Sequence, residues 1–293
     1  MPQPEPIKCG YLFTDKTSGK TSPCLHDAAP GRNSCVFHLP IAAKTQQQFE
    51  AAFRQHLING ESLKPSDALD CRGYIFPNID ISGSRFFGTA DFRAAVFAGT
   101  VEFRGSTFHS QADFHTAQFL HSAGFFGVYF ESVARFLGVS FKGRTIFSGA
   151  KFFGTTTFHG CKFMDFAAFQ AAKFDKPLTF HANEFFNDAD FRSAIFYDGA
   201  DFHESSFHNR LDFLGARFHG ELRLSNAHIK FLKKLKCRRA NLRGAVLHTT
   251  QIWENDTLTN YDFRDAFLLS VNLSGKRIQD SDFTGPCSNP FSP

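Results

Sequence analysis

The chain has 293 residues, a formal net charge of +4, and 40 Phe against five Tyr and one Trp. No run approaches the ~20 apolar residues of a membrane span, and the opening Met1-Pro-Gln-Pro-Glu-Pro lacks the basic and apolar regions of a secretory signal. Seven Cys, an odd number without a dense framework, fit a reducing compartment better than a disulfide scaffold, so a cytoplasmic location is expected.

Residues 1–40 form a Cys-rich segment. Cys9, Cys24, Cys35 and His38 supply three thiolates and an imidazole, a sufficient set for tetrahedral structural zinc with no open position. The Cys35-Val-Phe-His38 pair can reach one ion from a single turn. So short a segment buries little core, and a metal would supply its folding energy. The gaps between ligands are longer than zinc-finger spacing, and His26 is an alternative to one of the four. The competing reading is of ordinary reduced, partly buried cysteines.

Residues 41–68 are expected to hold a capping helix and a linker. Phe49, Ala52, Phe53 and Leu57 recur at helical spacing, Thr45 with Gln48 three residues on is a capping pair, and Asn59-Gly60 is a stop signal. The apolar stripe is expected to cover the open first coil of the repeat beginning near residue 69, because terminal units of a repeat must be atypical. A partner-binding helix is the other reading.

From Phe92 the sequence falls into a fixed register of Phe at alternating steps of five and six: Phe92, Phe97, Phe103, Phe108, Phe114, Phe119, continuing to Phe213 and Phe218, then Leu224 and Ile229. An eleven-residue period sustained over residues 69–229 is a repeat architecture. Two positions before most of these Phe the residue is small, as at Ala90, Ala95, Ala112, Ala117, Ala189 and Ala194. A spacing of two is the same-face spacing of a strand, so both point inward. On a helix, steps of five would scatter the rings around all sides. Gly two places after the Phe, at Gly99, Gly105, Gly138, Gly143 and others, marks corners. Short faces separated by corners give a coil of four sides that closes in about twenty-two residues, each coil one strand spacing above the last. Cys71 and Cys161 fall in inward register, where Cys acts as a small hydrophobe.

Segments such as Ala90-Asp91-Phe92-Arg93-Ala94, Ala189-Asp190-Phe191-Arg192 and Ala240-Asn241-Leu242-Arg243-Gly244 resemble the pentapeptide-repeat family, whose motif is small, polar, Leu or Phe, then two variable positions. The resemblance covers roughly residues 69 to 285. It implies an all-β solenoid, a right-handed quadrilateral parallel β-helix with Phe columns inside. The six-residue steps depart from the strict motif and suggest small bulges at regular corners. The segment ending in Cys35-x-x-His38 also looks like the small Cys-rich piece that precedes the solenoid in some bacterial pentapeptide-repeat proteins.

The Phe register breaks at residues 230–241, a basic connector. Lys230, Lys233, Lys234, Lys236, Arg238, Arg239 and Arg243 have no acid between them, and without these seven the net charge would be −3. The run reads as a solvated connector, as a contact for nucleic acid or another polyanion, or as an amphipathic element through Phe231, Leu232 and Leu235. Residues 242–285 return to steps mostly of five, as in Leu258, Phe263, Leu268, Leu273 and Ile278, and residues 286–293 form a Pro-containing tail.

A column one place after the register Phe holds His159, His181 and His203 at twenty-two-residue intervals, with His115 two coils earlier. Chance alignment in a His-rich repeat and a transition-metal or pH-responsive ladder both account for it. No Walker loop, GxGxxG, HExxH or nucleophile elbow is present. The expected function is a non-enzymatic scaffold or protein-interaction module. A nucleic-acid-associated protein using residues 230–243 is the alternative, and a homo-oligomer through poorly capped end coils is compatible with either. Some members of the family protect DNA gyrase by imitating DNA, but a neutral-to-basic rod is a poor mimic of a polyanion.

Overall fold

The computed structural model describes residues 6–15, 18–61, 68–220, 222–223, 227–229, 257–259 and 277–279. From Leu69 the chain winds as a four-sided parallel β-helix. Each coil contributes one short strand to each of four sheets, which hold seven or eight strands apiece among the described residues. The first coil shows the pattern: Leu69–Asp70 on face one, Ile75–Phe76 on face two, Ile79–Asp80 on face three and Arg85–Phe86 on face four. Ala90–Asp91 then returns to face one, in parallel register with Leu69–Asp70. Later coils close in twenty-two residues, as in Ala112↔Ala134 and Phe119↔Phe141, while the first turn of faces one and two closes in twenty-one.

That closure puts Phe directly on Phe. Phe136 lies 4.4 Å from Phe158 between centroids at 3°, and Phe191 lies 5.3 Å from Phe213. Rings of opposite columns meet edge to face across the interior, as Phe114 and Phe125 do at 5.9 Å and 88°. Each buried Phe contributes about 1.5–3 kcal/mol through burial, with roughly 0.5–1.5 kcal/mol more per favourable ring pair. The residues two positions earlier are also buried, small at Ala90, Ala95 and Ala112 and larger at Val101, Leu178 and Leu211.

The corners are of two kinds. After Phe92, Phe103, Phe114 and each second Phe onward, a tight turn places residue +2 in the left-handed region. It is Gly at Gly105, Gly138 and Gly149, but Ala at Ala94, Ala171 and Ala182 and Glu at Glu204. In several coils an Asp one place before the Phe accepts the backbone N–H just ahead of this residue, as Asp91 does from Arg93 and Asp201 from His203. This side-chain turn is why the repeat favours Asp there. The other corners, which carry the extra residue, mostly avoid positive φ, Gly199 at φ 91° being the exception among the described ones. Gly143, Gly154 and Gly220 stand there because a Cβ would lie 2.3–2.6 Å from backbone of the previous coil. The sequence pattern assigns one role to all the corner glycines, whereas conformation fixes one set and space the other.

The helix Gln46–Glu61 closes the first coil. Thr45 Oγ1 accepts from Gln48 N at 3.1 Å and Gln48 Oε1 accepts from Thr45 N at 2.9 Å, the expected reciprocal cap. Phe49 and Phe53 pack their buried rings on Phe76 at 5.2 and 5.3 Å. The helix runs through Asn59-Gly60 to Glu61, past the expected stop. Near the other end, Thr257–Thr259 pairs in parallel with Arg277–Gln279, Leu258 opposite Ile278. That offset is twenty residues, four steps of five.

The two kinds of corner predict different costs. Gly149→Ala meets nothing within 4 Å and adopts a conformation other coils give to Ala, so it should cost about 1 kcal/mol. Gly154→Ala must displace the Ser132 backbone and should cost several-fold more in chemical denaturation, an overpacking penalty of about 1–3 kcal/mol or above. Equal losses would show that the close approach is not limiting.

Candidate metal centre

The amino-terminal segment folds back on itself and on the first coil. Leu12–Thr14 and Thr21–Pro23 form a two-stranded antiparallel hairpin. Cys9 N donates to His26 O at 2.9 Å, Gly10 N to Asn33 O at 2.7 Å, and Cys24 N to Tyr11 O at 2.9 Å. These bonds draw three distant Cys together without a large core, and the donor atoms of Cys9, Cys24, Cys35 and His38 lie within 4.8 Å of one another.

Cys24 Sγ to Cys35 Sγ is 3.8 Å, Cys9 Sγ to His38 Nδ1 is 3.7 Å, and Cys35 Sγ to His38 Nδ1 is 3.2 Å. Ligand edges of a tetrahedral zinc with bonds of ~2.3 Å to sulfur and ~2.0 Å to nitrogen are roughly 3.5–3.8 Å. A sulfur separation of 3.8 Å is far too long for a disulfide, and all five Cys of the described residues are free. His38 Nε2 lies 3.0 Å from Arg72 O. A carbonyl there requires the proton on Nε2, leaves Nδ1 bare toward the thiols, and fixes the ring in the way outer partners orient a metal-binding imidazole. The Cys35 N–H donates to Cys9 Sγ at 3.2 Å. The contact with Cys24, and His38 beside it, push Cys35 well below the usual thiol range and Cys24 above it. Cys35 is therefore the thiol that favours thiolate, while Cys24 beside it keeps its proton. Cys9, Cys35 and His38 are buried, and the donors fit a closed metal site.

His26, the alternative ligand, is engaged elsewhere. Its Nε2 is 2.5 Å from the Tyr74 hydroxyl and its ring meets Phe37 edge to face at 4.8 Å. Burial lowers its pKa.

The same residues join the solenoid. Ile75 N donates to Phe37 O at 2.8 Å, so the segment after Cys35 pairs with the open edge of face two. Lys44 reaches the carbonyls of Val36, Phe37 and Ile75, and burial pushes its ammonium down to about 8. Tyr11 stacks on His38 at 3.8 Å, and Phe37 stacks on Tyr74 at 4.4 Å. Arg72 and Arg93 both lie over the Phe13 ring, Arg72 donating to Ser22 Oγ and Arg93 pairing with Asp15. This hairpin and its two arginines were not legible in the sequence. The Asp70-x-Arg72 and Asp91-x-Arg93 pairs could have signalled them only to a reader who knew that the hairpin lies above face one.

Of the His column, His159 and His181 have centroids 5.0 Å apart, as do His181 and His203, while Leu137 separates His115 from His159. Cys71 and Cys161 are fully buried, as their register requires. Lys230, Lys233, Lys234, Lys236, Arg238, Arg239 and Arg243 lie outside the described residues, as do most of residues 242–293. No helix among the described residues is long and apolar enough to cross a membrane.

Fold and site together define a four-sided parallel β-helix protein with a Cys- and His-bearing cap on its first coil. A family model for pentapeptide repeats, nine copies, matches residues 73–118 and 184–228; the described coils between them keep the same register, and the solenoid is built of pentapeptide repeats. Among solved structures it is similar to HetL, a pentapeptide repeat protein involved in heterocyst differentiation regulation from the cyanobacterium Nostoc sp. strain PCC 7120. The identity is 16%, coverage is 80% of this chain and 92% of that one, and the TM-score is 0.25. No curated protein matches.

Anchoring through Arg93 predicts a local effect. Arg93→Ala should raise amide hydrogen exchange in residues 7–38 while leaving the coils beyond residue 112 unchanged. A uniform increase along the chain would mean that the hairpin is not held separately.

Proposed function

We propose that this protein is a non-enzymatic scaffold that presents its outer faces to another protein, with zinc held by Cys9, Cys24, Cys35 and His38 locking the cap on the first coil. The observation that carries the scaffold reading is the set of large apolar side chains at outward positions. Phe87, Phe153 and Tyr197 follow the inward Phe of face four in one column, and Met164 and Phe186 do so on face two. A rod needs none of them for its core, and aligned exposed aromatics mark contact surfaces. On face four, Lys151, Lys173 and Lys176 flank a shallow groove between Phe153 and Tyr197 with Asp175 at its centre. This places a polar rim around aromatic anchors, the arrangement typical of protein interfaces.

For the metal, the support is the closed donor set and the bonds that tie it to the first coil. Its role there is structural, since three thiolates and one imidazole fill a tetrahedral zinc and leave no position for substrate.

Two measurements test these readings. Elemental mass spectrometry of the purified protein should give about one zinc per chain. Cys35→Ser should release it and lower thermal stability at the amino-terminal end; unchanged metal content would sink the assignment. For the scaffold, Phe153→Glu combined with Tyr197→Glu should abolish retention of a co-purifying partner without moving the main unfolding transition, and light scattering separates a second copy of the chain from a different protein. Retention undiminished in that variant would rule out face four.

A further inference from the structure

We infer that His181, His203 and Glu204 form a second metal site, on an outer corner of the coils, for a first-row divalent transition ion. The three donor atoms lie within 4.8 Å of one another. His181 Nε2 is 3.0 Å from Glu204 Oε2, and His203 Nε2 is 3.3 Å from Glu204 Oε1. One carboxylate thus faces two imidazoles from successive coils, each through the same ring nitrogen.

The fold accounts for this convergence. His181 and His203 each follow an inward Phe of face one, and a coil of twenty-two residues stacks them with ring centroids 5.0 Å apart and planes 27° from parallel. The spacing is set by the β-ladder, so the imidazoles are preorganised by the backbone. Asp201 accepts the His203 N–H at 2.9 Å and holds the turn that carries His203 and Glu204. Glu204 occupies the left-handed corner position, at φ 57°, which is Gly138, Gly160 and Ala182 in the three preceding coils. Among the described coils, this one alone bears a metal-binding side chain at that corner of face one, and it reaches back across the His of the coil before.

The donor chemistry differs from that of the amino-terminal cluster. Two neutral imidazoles and a carboxylate suit zinc, nickel, copper or iron, and they leave coordination positions free. The side chains are 33%, 30% and 52% exposed, so an ion can reach them from solvent and keep water, or a carboxylate or imidazole of a docked protein, in those positions. The hydrogen bonds now joining the three would give way to metal bonds, each neutral imidazole carrying its one proton on Nδ1 so that Nε2 is bare toward the ion. His159, its ring 5.0 Å from His181, is the adjacent imidazole of the column.

Zinc titration of the full chain, followed by calorimetry and by the imidazole resonances, tests the site. One saturable equivalent should bind beyond any held by Cys9, Cys24, Cys35 and His38, shift the His181 and His203 resonances, and persist in Cys35→Ser. His203→Ala and Glu204→Gln should each weaken this equivalent by about tenfold or more, since even outer partners of metal ligands are worth 10–100-fold. Both changes lie on an exposed corner, and an unaltered unfolding transition confirms that the coils persist. No saturable shift at His181 and His203, binding unchanged in either variant, or binding lost only in Cys35→Ser would each overturn the proposal.

Discussion

The structure depends on the stacking of each Phe on the Phe one coil away. Strands in a parallel ladder are held at ~4.8 Å, which is also within the range at which aromatic rings pack in offset stacks. The backbone and the rings therefore demand the same spacing, and neither has to yield. Every other feature of the coil follows from keeping that register. Two five-residue and two six-residue sides bring the chain back to the same azimuth, and in several coils the Asp before the Phe ties down the turn. A length difference within one coil is absorbed at a corner, as where the first turn of faces one and two closes in twenty-one residues and Phe76 still stacks on Phe97.

A register this regular leaves its cost at the ends. The first coil presents four strand edges and an open stack of rings, both unfavourable in water. Here they are met by separate means: helix residues Phe49 and Phe53 cover Phe76, the Phe37 carbonyl pairs with Ile75, and His38 bonds to Arg72 O. The last two contacts belong to the turn that also bears Cys35 and His38. The Cys-rich segment and the solenoid edge thus share one turn, and a metal held by that turn would brace both.

The fold was legible because the Phe register repeats many times and each repetition tests the others. Ala90, Ala112 and Ala134 face inward in the sequence pattern and in the structure alike. The four donors Cys9, Cys24, Cys35 and His38 were legible as a chemical set, but the exclusion of His26 rests on Tyr74, forty-eight residues away, which no local spacing encodes. Asn183 is a similar case. It stands where the repeat places a small residue, yet it is buried, donating to Phe158 O while its own oxygen accepts from Cys161 N. With Ser205 above it, it forms a polar ladder along one inner corner. A polar residue in that register gives no sequence sign of whether it faces in or out. The helix end differs for the opposite reason: Asn59-Gly60 is a local stop signal, and the helix continues through it.

In-register stacking also governs the outer surface. A residue on one coil has its own kind of position above and below, so like charges meet unless the sequence intervenes. Asp113 lies over Asp91, and burial with that neighbour raises its pKa; Lys151 and Lys173 are likewise paired. The chain relieves such columns by alternating partners, with Arg93 on Asp91, Arg192 on Asp190, and Arg210 beside Asp188 and Asp212. At the successive imidazoles His159, His181 and His203 the backbone holds similar groups with ring centroids 5.0 Å apart, and Glu204 reaches both His181 and His203. A solenoid built on stacked rings therefore creates rows of matched donors on its exterior as a direct result of its core, and individual outward residues such as Glu204 decide what those rows can bind.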